Sequence, residues 1–155
     1  MPSSTTPGIV LDTNVVLDWL VFRDPACQAL AAAIESGAVR WLAAGALRDE
    51  LDDVLGRGVG AERQPDRAAI EAAWLRHAVI HPAAVPAAAM ARRCRCSDPD
   101  DQKFIDLALA HGARWLLSRD RAVLKVAREA RLFGLEIVAP SNWTPPSPDA
   151  SAVEA

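Results

Sequence analysis

In the stretch SDPDDQKFIDLALAHGARWLLSRD, residues 97–120, Asp98, Asp100 and Asp101 stand just before an apolar run, and Asp120 stands just after a second one. Carboxylates gathered at the edges of buried structure repel one another, and loss of water raises their energy unless a cation or hydrogen bonds compensate. A positive partner is therefore expected among them. A fifth aspartate, Asp12, ends the apolar run GIVL near the N-terminus. Oxygen donors of this kind, without His or Cys partners, suit a hard cation such as Mg²⁺ or Mn²⁺. An ion held by such carboxylates activates water and stabilises charge at phosphorus, so hydrolysis of a phosphodiester is the chemistry that fits.

The elements that must position these groups can be read from periodicity. GIVLDTNVV begins as a buried strand and passes at Asp12, Thr13 and Asn14 into residues that favour turns and helix caps. VVLDWLVF and PACQALAAAIESG read as helices, the second opened by Asp24 and Pro25 and closed by Gly37. RWLAA is a second strand, and ALRDELDDVLG is a helix whose apolar stripe of Leu47, Leu51, Val54 and Leu55 has Glu50 beside it. A polar loop, RGVGAERQP, precedes the helix RAAIEAAWLRHA, and the Ala- and Pro-rich sequence after it fits either a short helix or an irregular connection. DPDDQKFIDLALAHG is expected to be one helix, with Asp98 as N-cap and Pro99 at its first position. In that register Asp101 lies three and four residues before Phe104 and Ile105, on the side that meets the sheet, while Asp100 is placed further out. ARWLLS is a third strand, RDRAVLKVAREARL a helix and LEIVAP a last strand.

Helices alternating with short strands predict a mainly parallel sheet between two helical layers, a three-layer α/β/α sandwich. Sites in such sheets lie beyond the carboxyl ends of the strands, where Asp12 and Asp120 both fall. The helix that opens with Asp98, Asp100 and Asp101 brings its N-terminus to the same edge. The carboxylates should converge.

A chain of 155 residues fits one domain with one core. Residues 1–7 are expected to be a flexible start, 8–143 the folded domain and 144–155, rich in Pro and Ser, a disordered tail. No apolar run approaches the ~20 residues that cross a bilayer, and MPSSTTPG has neither the basic residues nor the apolar segment of a signal peptide. A cytoplasmic protein without membrane contact is expected. Three cysteines cannot all pair within the chain, and Cys94 and Cys96 lack the paired four-ligand pattern of structural zinc. The net charge of −3 argues against a protein that coats nucleic acid. Residues 90–131 nevertheless carry ten basic and six acidic side chains, against seven and eleven over residues 1–89. Arg92, Arg93, Arg95, Arg119 and Arg121 flank the acids and are candidate contacts for an RNA backbone.

LDTNVV at 11–16, RDEL at 48–51, DPDDQKFIDLALAHGA at 98–113 and WLLSRDRAVL at 115–124 resemble, in that order, the motifs of the PIN-domain ribonucleases. The likeness is strongest to the branch assigned as toxins of bacterial toxin–antitoxin systems, and it extends from about Ile9 to Trp143. It implies a PIN-like fold, divalent-metal-dependent endoribonuclease activity with Mg²⁺ or Mn²⁺, an antitoxin partner that fills the acidic pocket, and a homodimer. It also implies that Asp12, Glu50, Asp101 and Asp120 are the catalytic, metal-holding acids, with Asn14 and Ser118 as polar supports. Asp98 is then a cap and Asp100 an outer-sphere group. One departure is that relatives often carry Ser or Thr where this chain has Ala44 and Gly45.

Other readings compete. Asp49, Asp52 and Asp53 suit a solvated helix face, the histidines pair with nothing as ligands, and Trp19, Trp41, Trp74 and Trp115 fall in apolar stripes and are expected in the core. A PIN-like module that binds RNA or protein without cutting is the main alternative. A receiver-like signalling domain also gathers aspartates at a sheet edge, but it wants an acidic pair after the first strand and a Lys after the last, and neither is present.

Overall fold

Gly8–Leu11 forms the first strand, β1, with all four residues buried, as expected of a strand covered on both faces. The structure, a computed structural model of the chain, describes residues 6–58 and 65–146. Most of the expected loop at 57–65, and most of the expected flexible start and tail, lie outside the described residues. The chain continues through α1 (Thr13–Leu20), α2 (Gln28–Ser36), β2 (Arg40–Ala43), α3 (Gly45–Arg57), α4 (Arg67–His77) and β3 (Ala78–Ile80). It then forms α5 (Ala88–Arg93), α6 (Gln102–Ala110), β4 (Trp115–Leu117), α7 (Arg121–Leu124), α8 (Ala127–Arg131) and β5 (Glu136–Val138). Short 3-10 turns at Pro25–Cys27 and Pro99–Asp101 lead into α2 and α6.

The five strands lie in the order β3-β2-β1-β4-β5, and each neighbouring pair is parallel. Ile9 stands in register with Trp41 on one side and Trp115 on the other. Alternation along β1 divides the core. Ile9 and Leu11 face the layer built on α1, α2 and α4, whereas Val10 faces the layer built on α6 and α8. This is the expected sandwich, with every pairing parallel. In the first layer Trp41 sits edge-on between Trp19 and Trp74, at ring separations of 5.3 and 5.2 Å, and Trp143 packs edge-on against Trp115. The order also separates the fold from receiver-like domains, in which the first strand lies between the second and third.

Two features of this topology locate the site. The chain steps from β1 to β2 in one direction and returns from β3 to β4 on the other side of β1, so the crevice between the ends of β1 and β4 is the switch point of the sheet. Asp12 leaves β1 there and Ser118 leaves β4, joined by an Asp12 N–H bond to the Leu117 carbonyl of 3.2 Å. No helix among the described residues is long and apolar enough to cross a membrane.

Candidate metal centre at the strand edge

Asp12 is the residue on which the two strand ends meet. Its Oδ1 accepts the Val15 N–H at 2.9 Å and so caps α1, and its Oδ2 accepts the Ser118 hydroxyl at 2.5 Å. Ser118, fully buried, in turn accepts the Asp120 N–H at 3.0 Å. The small hydroxyl residue thus fixes Asp120 relative to Asp12. Burial pushes the Asp12 carboxyl up to about 6; the Ser118 and Val15 bonds oppose this, and the charge of Asp120 adds to it.

The acids before α6 come from a different local device. Pro99 cannot donate a backbone bond, and the Asp98 Oδ1 accepts the Asp100 N–H at 3.0 Å, closing the 3-10 turn that precedes the helix. The expectation of one α-helix from Asp98 is therefore corrected: α6 begins at Gln102, with Asp101 at its N-cap position but making no side-chain cap bond. That frees the Asp101 carboxyl. Asp98, Asp101 and Asp120 each offer an oxygen within 4.8 Å of the others, and the Asp101 Oδ2 is buried with no hydrogen-bond partner. Burial, then the charges of Asp120 and Asp98, then a side-chain hydrogen bond to Asp120 that the protonated acid can make, push Asp101 up to about 7. A buried orphan oxygen among like charges is an arrangement that a divalent cation would satisfy, and an all-oxygen donor set suits Mg²⁺ or Mn²⁺.

The structure brings together a different trio from the expected four. Asp98 both closes its turn and stands with Asp101 and Asp120. Glu50 lies outside the trio, one oxygen accepting the Thr13 hydroxyl and the other the Lys103 ammonium, though it borders the same cleft. Asp100 is exposed, and its carbonyl, not its carboxylate, bonds Lys103 at 2.6 Å. Asn14 is exposed on the first turn of α1, where its buried neighbour Thr13 makes the contact to α3. Sequence reasoning misses Thr13 and Lys103. Lys103 is signalled only as the one basic residue inside DPDDQKFID; Thr13 carries no signal until α1 is known to meet α3. Ala44 stands at the N-cap position of α3 and, having no hydroxyl, makes no side-chain cap bond.

Asp98, Asp100, Asp101, Asp120, Glu50 and Lys103 line an open cleft of about 560 Å³ that also includes Asp49, Asp53 and Arg57. Two of the acids read as a plain solvated face therefore border the cleft, while Asp52 pairs with Arg48 at 3.0 Å. Of the candidate RNA-binding residues, Arg92, Arg93, Arg95 and Arg121 are exposed. Arg119 instead holds the buried Asp18 with two bonds, at 2.6 and 3.1 Å. Cys94 and Cys96 are buried in the apolar layer, where burial raises their thiols, and Gln102 ties their backbone to α6 by accepting the Cys96 N–H at 2.6 Å and donating to the Cys94 carbonyl at 2.9 Å.

No curated protein matches the sequence. Among solved structures, the fold is similar to that of VapBC2 from Rickettsia felis bound to a DNA fragment from their promoter, with a TM-score of 0.55 and 11% identity over 84% of this chain and 96% of that one. A family model described as PIN domain matches residues 8–122, a span that contains β1 to β4 and every acid of the cleft. By that match, with its acids collected at the switch point of a parallel sheet, the chain belongs to the PIN domain family.

Proposed function

We propose that the protein is a divalent-metal-dependent endoribonuclease, acting as the toxin of a toxin–antitoxin pair. The observation that carries the reading is the meeting of Asp98, Asp101 and Asp120 around a buried, unpartnered Asp101 oxygen at the mouth of an open cleft. These three would hold the ion, with Asp12 flanking them; each Asp12 oxygen retains a second lone pair beyond the bond it already accepts. When bound, Mg²⁺ or Mn²⁺ would supply positive charge to the scissile phosphate and activate water. Ser118 keeps Asp12 and Asp120 in fixed relation, so that the acids need not reorganise during the reaction. The exposed Arg92, Arg93, Arg95 and Arg121 would hold the flanking phosphates of single-stranded or structured RNA.

The motif resemblance to the toxin branch supports the biological role, and with it an antitoxin and a homodimer. An Arg of such a partner could enter the carboxylate trio and pair with two oxygens at once. The activity is tested by incubating the purified chain with a mixed RNA pool, with and without Mn²⁺, and mapping the new ends. Cleavage that needs Mn²⁺ and is lost in Asp101→Asn is expected. Cleavage that persists in chelator, or in a folded Asp101→Asn protein, would refute the reading.

A further inference from the structure

We infer that Lys103 is a resident cation of the cleft that keeps Glu50 out of the metal group, so that the site takes a single divalent ion. The inference rests on the metal-dependent reading above and concerns which acids are left free to bind. Each Glu50 oxygen accepts one bond, from the Thr13 hydroxyl of α1 and from the Lys103 ammonium of α6, and the ammonium, unlike the neutral Val15 and Ser118 donors on Asp12, gives the carboxylate a full positive charge. The ammonium is held from a second side by the Asp100 carbonyl at 2.6 Å and lies over the Phe104 ring, 5.0 Å from its centre. The two side chains are each 28% exposed. The pair is therefore partly removed from water, where its attraction exceeds that of an open surface pair.

Phosphodiesterases that use two ions place them about 3.5–4 Å apart and divide the carboxylates between them. In this chain Asp98, Asp101 and Asp120 suffice for one ion, and the acid on the facing helix is already neutralised. Lys103 provides a unit positive charge where a second ion would otherwise have to shed part of its water, which Mg²⁺ does reluctantly. A compact ammonium fits this place better than a planar guanidinium would, since it meets a carboxylate and a carbonyl from different directions.

The test is the number of Mn²⁺ ions bound by the full chain, read by calorimetric titration and by the paramagnetic resonance of bound Mn²⁺, with thermal melting to verify the fold. The wild type and Lys103→Arg should each bind one ion. Lys103→Met should gain a second, weaker ion, and Lys103→Met/Glu50→Gln should return to one. Glu50→Gln alone should change the affinity of the first ion by no more than about threefold, since a screened neighbouring charge is lost and not a ligand. Two ions in the wild type, one ion in folded Lys103→Met, or a loss of tenfold or more in Glu50→Gln, the scale expected when a metal's own support is removed, would overturn the inference. A wild type that binds ion while Lys103→Met stays at one overturns this inference and leaves the metal reading standing. A wild type that binds none removes the metal reading as well.

Discussion

At the scale of single residues, Asp12 and Asp101 couple the cleft to pH. Their carboxyls lie at about 6 and about 7, above the ordinary aspartate value of 3.8. Between about pH 4 and 7 the folded chain thus retains protons that the unfolded chain has released. The stability these two groups contribute is full below about pH 4 and is lost as pH rises through their folded values. The metal-free protein should melt at lower temperature at neutral pH than at mildly acidic pH on their account, and Mn²⁺ affinity should rise over the same interval because the ion competes with the protons. Asp101→Asn should flatten both trends. A parent protein and an Asp101→Asn variant with the same pH dependence would show that the trio does not share charge as described. Asp98 separates its two tasks by substitution. Asp98→Asn keeps an oxygen to close the turn at Asp100 and should lose Mn²⁺ affinity with little loss of fold, whereas Asp98→Ala should lose that affinity and about 1 kcal/mol of stability as well. Undiminished Mn²⁺ binding in both would leave Asp98 as a cap alone.

At the scale of elements, Gly8 of β1 leaves room for the Leu42 side chain of β2. A Cβ placed there would lie 2.7 Å from the Cδ1 and 3.1 Å from the Cγ of Leu42, a buried side chain that would have to shift. Gly8→Ala should therefore lower stability by about 1–3 kcal/mol in denaturant unfolding, as overpacking does; an unchanged midpoint would mean that Leu42 repacks without cost. The four strands whose apolar runs are bounded by turn residues are legible in the sequence, as are the helices carrying the acids. β3 is not. Ala78 leaves α4 directly, with no Gly or Pro to mark the change, and Val79 and Ile80 are partly exposed on an edge strand, so no period of two distinguishes them. RDRAVLKVAREARL reads as one helix yet divides at Lys125 and Val126 into α7 and α8, without a breaker residue. In the site, the convergence of Asp12, Asp101 and Asp120 is visible because each ends or begins an element. The bonds of Glu50 to Thr13 and Lys103 are not, because they span 37 and 53 residues and depend on how α1 and α6 meet α3.

At the scale of the whole molecule, the proposed activity requires an acidic chain to attract a polyanion to a cleft lined with its own carboxylates, and the uneven distribution of charge answers that requirement. The net charge is −3, yet the segment from 90 to 131 is basic. Arg92 and Arg93 end α5, and Arg95 lies between two buried cysteines whose backbone Gln102 ties to the first turn of α6. That tether sets this basic stretch beside the trio, since Asp101 immediately precedes Gln102. Arg119 has a different task. It is half-exposed, but its two bonds hold Asp18, whose side chain is only 8% exposed. Replacing Arg92, Arg93 and Arg95 together by Gln should weaken RNA binding and reduce the slope of log affinity against log salt by about 2, since each lost phosphate contact on a single strand removes ~0.7. The fold should be little changed. Arg119→Gln should instead leave a buried carboxylate without its partner and lower stability by about 1–3 kcal/mol, with a smaller effect on the slope. The binding is measured with an Asp101→Asn protein to prevent cleavage, across a salt series, alongside melting of each variant. If the triple variant keeps the parent slope while Arg119→Gln flattens it, RNA follows the β4 edge and not the α5 side of the cleft.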